Sequence, residues 1–237
     1  MSYLTSAVKP SSSGQSTSLF GSLEALPRGP HGLTPEEVAA SQRSRLLAAV
    51  TALVADVGYP ATTITSLCRT AAVSPNGFYA HFDSKEDCFL AAYDVFVAGI
   101  TDAIASAAAR VGPWESFVEE GLRAYLALLD TEPVASRAFV LHVEGAGDRP
   151  RAHLRRTLGA LAELLRTRHE AMRQQDPSLG ALPERAFLGF VWGIRAVVCQ
   201  AMLEAPDTPL VSLVPDLARW LAATVAGASS TAATSRR

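Results

Sequence analysis

Residues 62–85 (TTITSLCRTAAVSPNGFYAHFDSK) hold two short amphipathic segments joined by a tight turn, and this stretch leaves the chain few ways to fold. In the first segment Ile64, Leu67, Cys68 and Ala71 recur at i, i+3, i+4 and i+7, one apolar stripe on a helix, with Thr63 placed to cap its N-terminus. After Ala72 and Val73 come Ser74, a favoured N-cap, and Pro75 at the first helical position, where its missing N–H costs nothing. Val73 before the cap and Phe78 at the fourth helical position form the pair expected of a hydrophobic staple, which fixes how the chain enters the second helix. With Phe78 and Phe82 turned inward, Ser74, Pro75, Asn76, Tyr79 and Ala80 remain as a small, mostly uncharged outward face. The pattern fits a helix-turn-helix whose second helix enters a major groove. It fits a helical hairpin inside an α-bundle equally well, and spacing alone leaves both open.

The flanking segments extend the helical reading. Thr34, Pro35 and Glu37 make a capping box for a first helix whose apolar face is Leu46, Leu47, Val50, Leu53 and Val54. Gly58 is placed for a left-handed C-cap, with Tyr59 able to fold back on Val54 and Pro60 blocking continuation. Ser84 caps a fourth helix running through Phe89, Leu90, Tyr93, Val95 and Phe96, a connecting rod between the two halves of the chain. Residues 113–129, 133–144, 149–174, 183–203 and 209–225 all read as helices, with Pro215 a candidate first turn for the last, and no strand signal competes. The expected class is all-α. A three-helix head at residues 33–83 precedes a larger helical domain at 84–226, between loose tails at 1–32 and 227–237.

Gly58-Tyr59, Thr62-Thr63-Ile64, Ala72-Val73-Ser74, Phe78-Tyr79-Ala80-His81-Phe82 and Ser84-Lys85-Glu86 together closely resemble the DNA-binding domain of the TetR family of bacterial transcriptional regulators. The resemblance implies phosphate contacts from Thr63, Tyr79 and Lys85, and base-edge or groove contacts from Ser74, Pro75 and Asn76. His81 and Phe82 would lock the recognition helix onto its neighbours. Where many relatives carry Gly-Thr this chain has Asn76-Gly77, so base preference does not transfer. Gly77 inside a helix costs roughly 1 kcal/mol relative to Ala, which suggests close backbone approach to DNA or to a packed helix, or a merely tolerated glycine.

Charge speaks less clearly for DNA. The net charge is −2, and within residues 62–86 Arg69 and Lys85 are balanced by Asp83 and Glu86, although counterion release from phosphates supplies much of the affinity of DNA binders. Arg43 and Arg45 on the preceding helix add local positive charge. Cys68, Cys88 and Cys199 lie far apart without metal spacing, so neither a disulfide framework nor a metal site is indicated. No signal peptide or membrane span is read, the apolar residues 186–203 being broken by Arg195 and Gln200, and a cytoplasmic protein is expected. Neither a P-loop, a dinucleotide fingerprint, Gly-x-Ser-x-Gly nor His-Glu-x-x-His occurs. No catalytic residues and no cofactor are assigned.

In a helical domain the plausible site is an apolar cavity between helices. Phe117, Leu122, Tyr125, Phe139, His142, Val143, Trp192 and Arg195 are its candidate residues, each of which could equally be ordinary core. Arg195 is the most informative, because a guanidinium in an apolar helix needs either an internal carboxylate or an acidic ligand. Arg149, Arg151, His153, Arg155 and Arg156 cluster at one helix start, read as a solvated face in preference to an anion patch, with Glu144 and Asp148 at hand to ease the charge. Gly189 and Gly193, with Leu217 and Trp220 on the last helix, suggest a two-fold homodimer interface, a pairing the resemblance also implies; the alternative is that these residues complete the core of one subunit. Taken together these features describe a dimeric one-component repressor, binding a near-palindromic double-stranded operator and released by a small, largely apolar effector. A helical small-molecule carrier or sensor with a degenerated DNA-binding half is the alternative.

Overall fold

The computed structural model describes residues 19–20, 34–108 and 112–234, and among them every regular element is a helix. Helix α1 (Pro35–Ala61) starts with the capping box read from the sequence. The Glu37 N–H donates to Thr34 Oγ1 at 3.2 Å and the Thr34 N–H to the Glu37 carboxylate at 2.7 Å. Gly58, at φ +79°, leaves helical geometry as expected, and a second short helical turn follows it across a kink. Pro60 is compatible with the first turn of a restarted helix, where its N–H is not needed, and Thr62 Oγ1 donates to the Gly58 carbonyl at 2.9 Å.

Helix α2 (Ile64–Ala71) buries Leu67, Cys68 and Ala71, and ends at Ala72 in the left-handed region at φ 51°, a conformation costing an L-residue roughly 1–2 kcal/mol. Arg45, buried on α1, offsets this cost: its Nη1 donates to the carbonyls of Ala71 (2.6 Å) and Ala72 (3.1 Å). A cation thus closes the C-terminus of α2. Helix α3 (Pro75–Tyr79) follows Ser74, whose Oγ accepts the Gly77 N–H at 3.0 Å. A Cβ on Gly77 would lie 2.8 Å from Val73 Cγ1, so Val73 in the preceding turn already leaves no room for a side chain there.

Helix α4 (Lys85–Ala108) begins with Ser84 Oγ accepting the Asp87 N–H at 3.1 Å and donating to its carboxylate at 2.7 Å. The body packs α4 against α5 (Trp114–Thr131), α5 against α9 (Val214–Thr234) and α7 (Asp148–Gln175) against α8 (Glu184–Glu204). Pro215 does stand in the first turn of α9, after a 3₁₀ turn over Leu210–Leu213 whose Leu210 and Val211 N–H groups donate to Asp130 at 2.8 and 3.1 Å.

Residues 133–144 are not one α-helix. A short α6 (Pro133–Ser136) passes into a π-helical turn, Arg137–Leu141, and a 3₁₀ turn, Glu144–Ala146. The wider π turn re-phases the side chains that follow it. It places Phe139, 1% exposed, among the rings of Phe89 (5.4 Å between centroids), Phe96 (5.3 Å), Tyr93 (5.8 Å) and Phe20 (6.0 Å).

Both tails differ from expectation. Phe20 is buried, the Leu19 N–H donates to Glu132 at 2.8 Å, and Ser44 Oγ on α1 donates to the Phe20 carbonyl at 3.3 Å. An apolar pair in an otherwise polar stretch finds a groove at the junction of head and body. Helix α9 continues to Thr234, through a stretch in which four alanines, the best helix formers, alternate with Gly, Ser and Thr. The remainder of 1–32, and residues 235–237, lie outside the described residues. One hydrophobic cluster runs from α1 and α2 through the π turn into α8 and α9, so head and body share a core.

Candidate nucleic-acid interface and ligand cavity

The helix caps that build the head also set its outer face. Thr63 and Ser74, exposed, each hold an N–H of the following turn through Oγ, Thr63 from Ser66 at 3.1 Å and Ser74 from Gly77 at 3.0 Å. Pro75 and Asn76 are exposed beside them, and Tyr79 stands 56% exposed, although its neighbour Phe78 is fully buried. These five residues lie on a continuous stretch of two helix starts and the turn between. His81 Nε2 meets Gln42 Oε1 of α1 at 3.3 Å, and Phe82 is buried beneath the Arg43 guanidinium, 5.0 Å above its ring. The recognition segment is therefore tied to α1 at its C-terminal end.

Lys85 is placed differently from the other five. Its Nζ donates to the carbonyls of Tyr59 (2.9 Å) and Thr62 (2.7 Å) and lies 4.1 Å above the Tyr59 ring. Two of the three ammonium donors thus close the C-terminal end of α1, and desolvation pushes the Lys85 pKa down. The sequence pattern, which marks Lys85 as the opening of a helix, carries no sign of this strut or of its counterpart Arg45.

The basic cluster of α7 is engaged with carboxylates. Arg149 Nη1 meets Asp87 at 2.6 Å and Glu86 at 3.1 Å across the gap to α4, and holds the Asp87 carboxyl below its usual pKa together with the Ser84 hydroxyl. Arg151 pairs with Asp148 at 2.9 Å, and His153 with Asp94 at 2.7 Å. The first turn of α7 is thereby clasped to the helix that begins at Lys85.

Between α4, α5, α7, α8 and α9, roofed by the π turn, lies an apolar cavity of about 150 Å³. Of the sequence candidates, Phe117, Leu122, Tyr125, Phe139 and Arg195 line it. His142, Val143 and Trp192 do not. On α8 the lining face is Phe187, Phe190, Val191, Ile194 and Arg195, an i, i+3, i+4, i+7, i+8 stripe from which Trp192 is rotated by a helical step. The π turn carries His142 to its end, within 4 Å of where a Cβ on Gly58 would sit, and buries Val143 completely. Tyr93, Trp114, Thr157 and Leu158 are among the other residues of the wall. The α8 stripe was recoverable by counting from Arg195, whereas the walls from α4 and α7 carry no sequence signal beyond ordinary amphipathicity. Burial pushes the Tyr93 phenol up to about 12 and raises Tyr125 as well, so both are neutral hydrogen-bonding groups. Burial also raises Cys68, Cys88 and Cys199, keeping all three as thiols.

The expected dimer stripe is partly used inside the subunit. Leu217 is buried, and the Trp220 ring comes so close to Gly193 that a Cβ there would lie 2.9 Å from it. Close approach at Gly193 therefore serves packing of α8 on α9 in one chain. Leu188, Gly189, Val197, Leu203 and the outer part of Trp220 remain exposed.

Residues 46–92, which span the core of α1, both head helices and the first turns of α4, match the family model of bacterial regulatory proteins, tetR family. The chain carries a TetR-family DNA-binding domain. Its fold is that of solved family regulators over most of its length. The fatty acid degradation regulator FadR from Bacillus halodurans superposes with a TM-score of 0.65 at 18% identity, covering 81% of this chain and 96% of that one. FadR from Bacillus subtilis, solved in complex with stearoyl-CoA, gives 0.67 at 15% identity, covering 74% and 95%. A TetR-like transcriptional regulator from Rhodococcus sp. RHA1 gives 0.59 at 19% identity, covering 80% and 99%. Comparison with curated protein sequences returned no match. The match identifies the head as a helix-turn-helix of the kind found in bacterial transcription regulators.

Proposed function

We propose that this TetR-family chain is a ligand-released repressor, acting in the cytoplasm, that binds a near-palindromic operator as a homodimer. The observation that carries the reading is the joining of an exposed recognition face to an apolar cavity through one continuous core. Thr63, Ser74, Pro75, Asn76 and Tyr79 meet the DNA, and Lys85 contributes its remaining donor while bracing α1. Two copies pair through the exposed apolar surface of α8 and α9, where Leu188, Val197, Leu203 and Trp220 remain uncovered in one subunit. That pairing sets the two recognition helices one helical turn of DNA apart, about 34–36 Å, or a multiple of it.

The effector has an apolar body, as the cavity wall requires, and the acyl ligand of the Bacillus subtilis FadR structure supports an acyl chain as one such body. A dry apolar cavity of about 150 Å³ admits a benzene-sized molecule, so any longer chain must push the surrounding helices apart. The coupling follows from this. An effector that widens the bundle shifts α4 and α7, and the Arg149 clasp passes the shift to the helix that begins at Lys85. By linkage, effector and operator weaken each other's binding by the same factor.

Gel-shift titration against genomic fragments at two salt concentrations tests the reading, with Tyr79→Ala expected to abolish retardation and leave the helical CD spectrum unchanged. Retardation of Tyr79→Ala equal to the parent's would remove the proposed face. One observation favours a second reading, a ligand carrier or sensor whose head has lost DNA affinity: the charges of residues 62–86 sum to zero. Such a protein would bind apolar ligands and retard no fragment at either salt concentration.

A further inference from the structure

Arg195 is only 7% exposed on an otherwise apolar helix. Its Nη2 donates to the Val140 carbonyl at 2.7 Å and to Glu144 Oε1 at 3.2 Å. Its Nε is buried, with no hydrogen-bond partner among the described residues. The Glu144 side chain is 55% exposed, so much of its charge is spent on water. A guanidinium cannot shed its proton, and a buried donor of a charged group left without an acceptor is costly. The cation on the cavity wall is therefore incompletely answered by the protein itself.

The hydroxyl groups of the cavity gather around it. Tyr93 and Tyr125 lie close enough for the Arg195 charge to oppose the rise in their pKa values, and Thr157 stands beside Tyr93. Towards Trp114, Phe117, Ile104, Phe187 and Leu221 the wall is almost wholly apolar. Phe187 and Arg195 are eight residues apart on α8, about 12 Å along its axis. The cavity thus has a cationic end and an apolar end.

We propose that the cavity takes an amphipathic carboxylate, with the carboxylate on Arg195 and the apolar body running towards Phe187 and Trp114. The assignment rests on the reading of this cavity as the effector site and adds the class of headgroup. It also names the contact that the ligand contests. Arg195 now holds the carbonyl of Val140, inside the π-helical turn that packs against α1. A carboxylate that draws the guanidinium inward frees that carbonyl next to Phe139, whose ring touches Phe89, as Phe89 touches Tyr59 at 5.0 Å beneath Lys85. The headgroup, and not only the volume of the chain, is then what the DNA-binding head senses.

The test is calorimetric titration of the full chain with octanoate, methyl octanoate and 1-octanol at neutral pH. Octanoate is expected to bind at least tenfold tighter than either neutral analogue, the scale of one charge-assisted hydrogen bond. Arg195→Met is expected to erase that preference and leave methyl octanoate binding within about twofold of the parent. Should Arg195→Met fail to fold, Arg195→Lys, which keeps the charge and loses the Nε donor, is expected to retain a reduced preference. The comparison of acid with ester on the parent chain needs no variant at all. Equal affinity for acid and ester overturns the headgroup assignment and leaves the cavity as an effector site; binding of none of the three overturns both.

Discussion

Replacing Lys85 by Met separates two roles that sequence resemblance merges into one. The side chain keeps its length over the Tyr59 ring and loses the two bonds to the Tyr59 and Thr62 carbonyls, at 2.9 and 2.7 Å, together with the cation–ring contact at 4.1 Å. Each bond to a partly exposed charged group is worth about 1 kcal/mol net and the ring contact roughly 0.5 kcal/mol. Lys85 is half-buried and its charge is disfavoured there, which takes back part of the sum. A net loss of about 2 kcal/mol remains, and for a chain of this length it lowers Tm by roughly 4–8 °C. Differential scanning calorimetry of parent and variant without DNA measures it. A Tm within a degree of the parent's, with operator binding lost, would refute the strut and leave Lys85 as a phosphate contact alone.

Gly77→Ala should destabilise the head although alanine is the better helix former by about 1 kcal/mol. The new methyl would lie 2.8 Å from Val73 Cγ1, a buried β-branched side chain with little freedom to move; an unchanged or raised Tm counts against the staple as the reason for glycine. His169 is 2% exposed and its Nε2 has no partner among the described residues, so burial holds its pKa below 6.5. The unfolded chain then takes up a proton near pH 6.5 that the folded chain resists, and stability present above that pH is lost as the pH falls below it. His81 and His142 are displaced in the same direction, so Tm measured from roughly pH 7.5 to 5.5 should fall, and His169→Gln should flatten part of the fall. Arg149→Ala removes an exposed ion pair to Asp87 and Glu86, so Tm is expected to change little. Its larger effect is expected in the loss of effector-induced release from DNA, read by gel shift with and without ligand; full release in the variant would remove the clasp from the coupling route.

The head was legible in the sequence because its signals are local. Thr34 with Glu37, Thr63, and Ser74 with Pro75 each specify a turn within four residues, and each forms as read. The cations that brace those turns were not legible. Arg45 reaches 26 residues on to the Ala71 carbonyl and Lys85 26 residues back to that of Tyr59. In the body, helix existence followed from periodicity, but the cavity depends on helix phase. A π turn over Arg137–Leu141, which no residue pattern announces, carries His142 and Val143 away from the wall and Phe139 onto it. Trp192 is aromatic and lies on the same helix as Arg195, but it stands off the i, i+3, i+4, i+7, i+8 stripe that faces the cavity. Gly193 shows the same weakness: a glycine reports that something comes near, not whether it belongs to the same chain.

Leu19 and Phe20 carry a practical consequence. Their peptide groups are fastened to Glu132 and Ser44, Phe20 faces the Phe139 ring, and the Leu19 methyls fill the space beside Gly99. A shortened variant beginning at Thr34 would look like a harmless trimming of polar sequence, yet it would open a hole against the aromatic cluster at the seam where the two halves of the molecule meet.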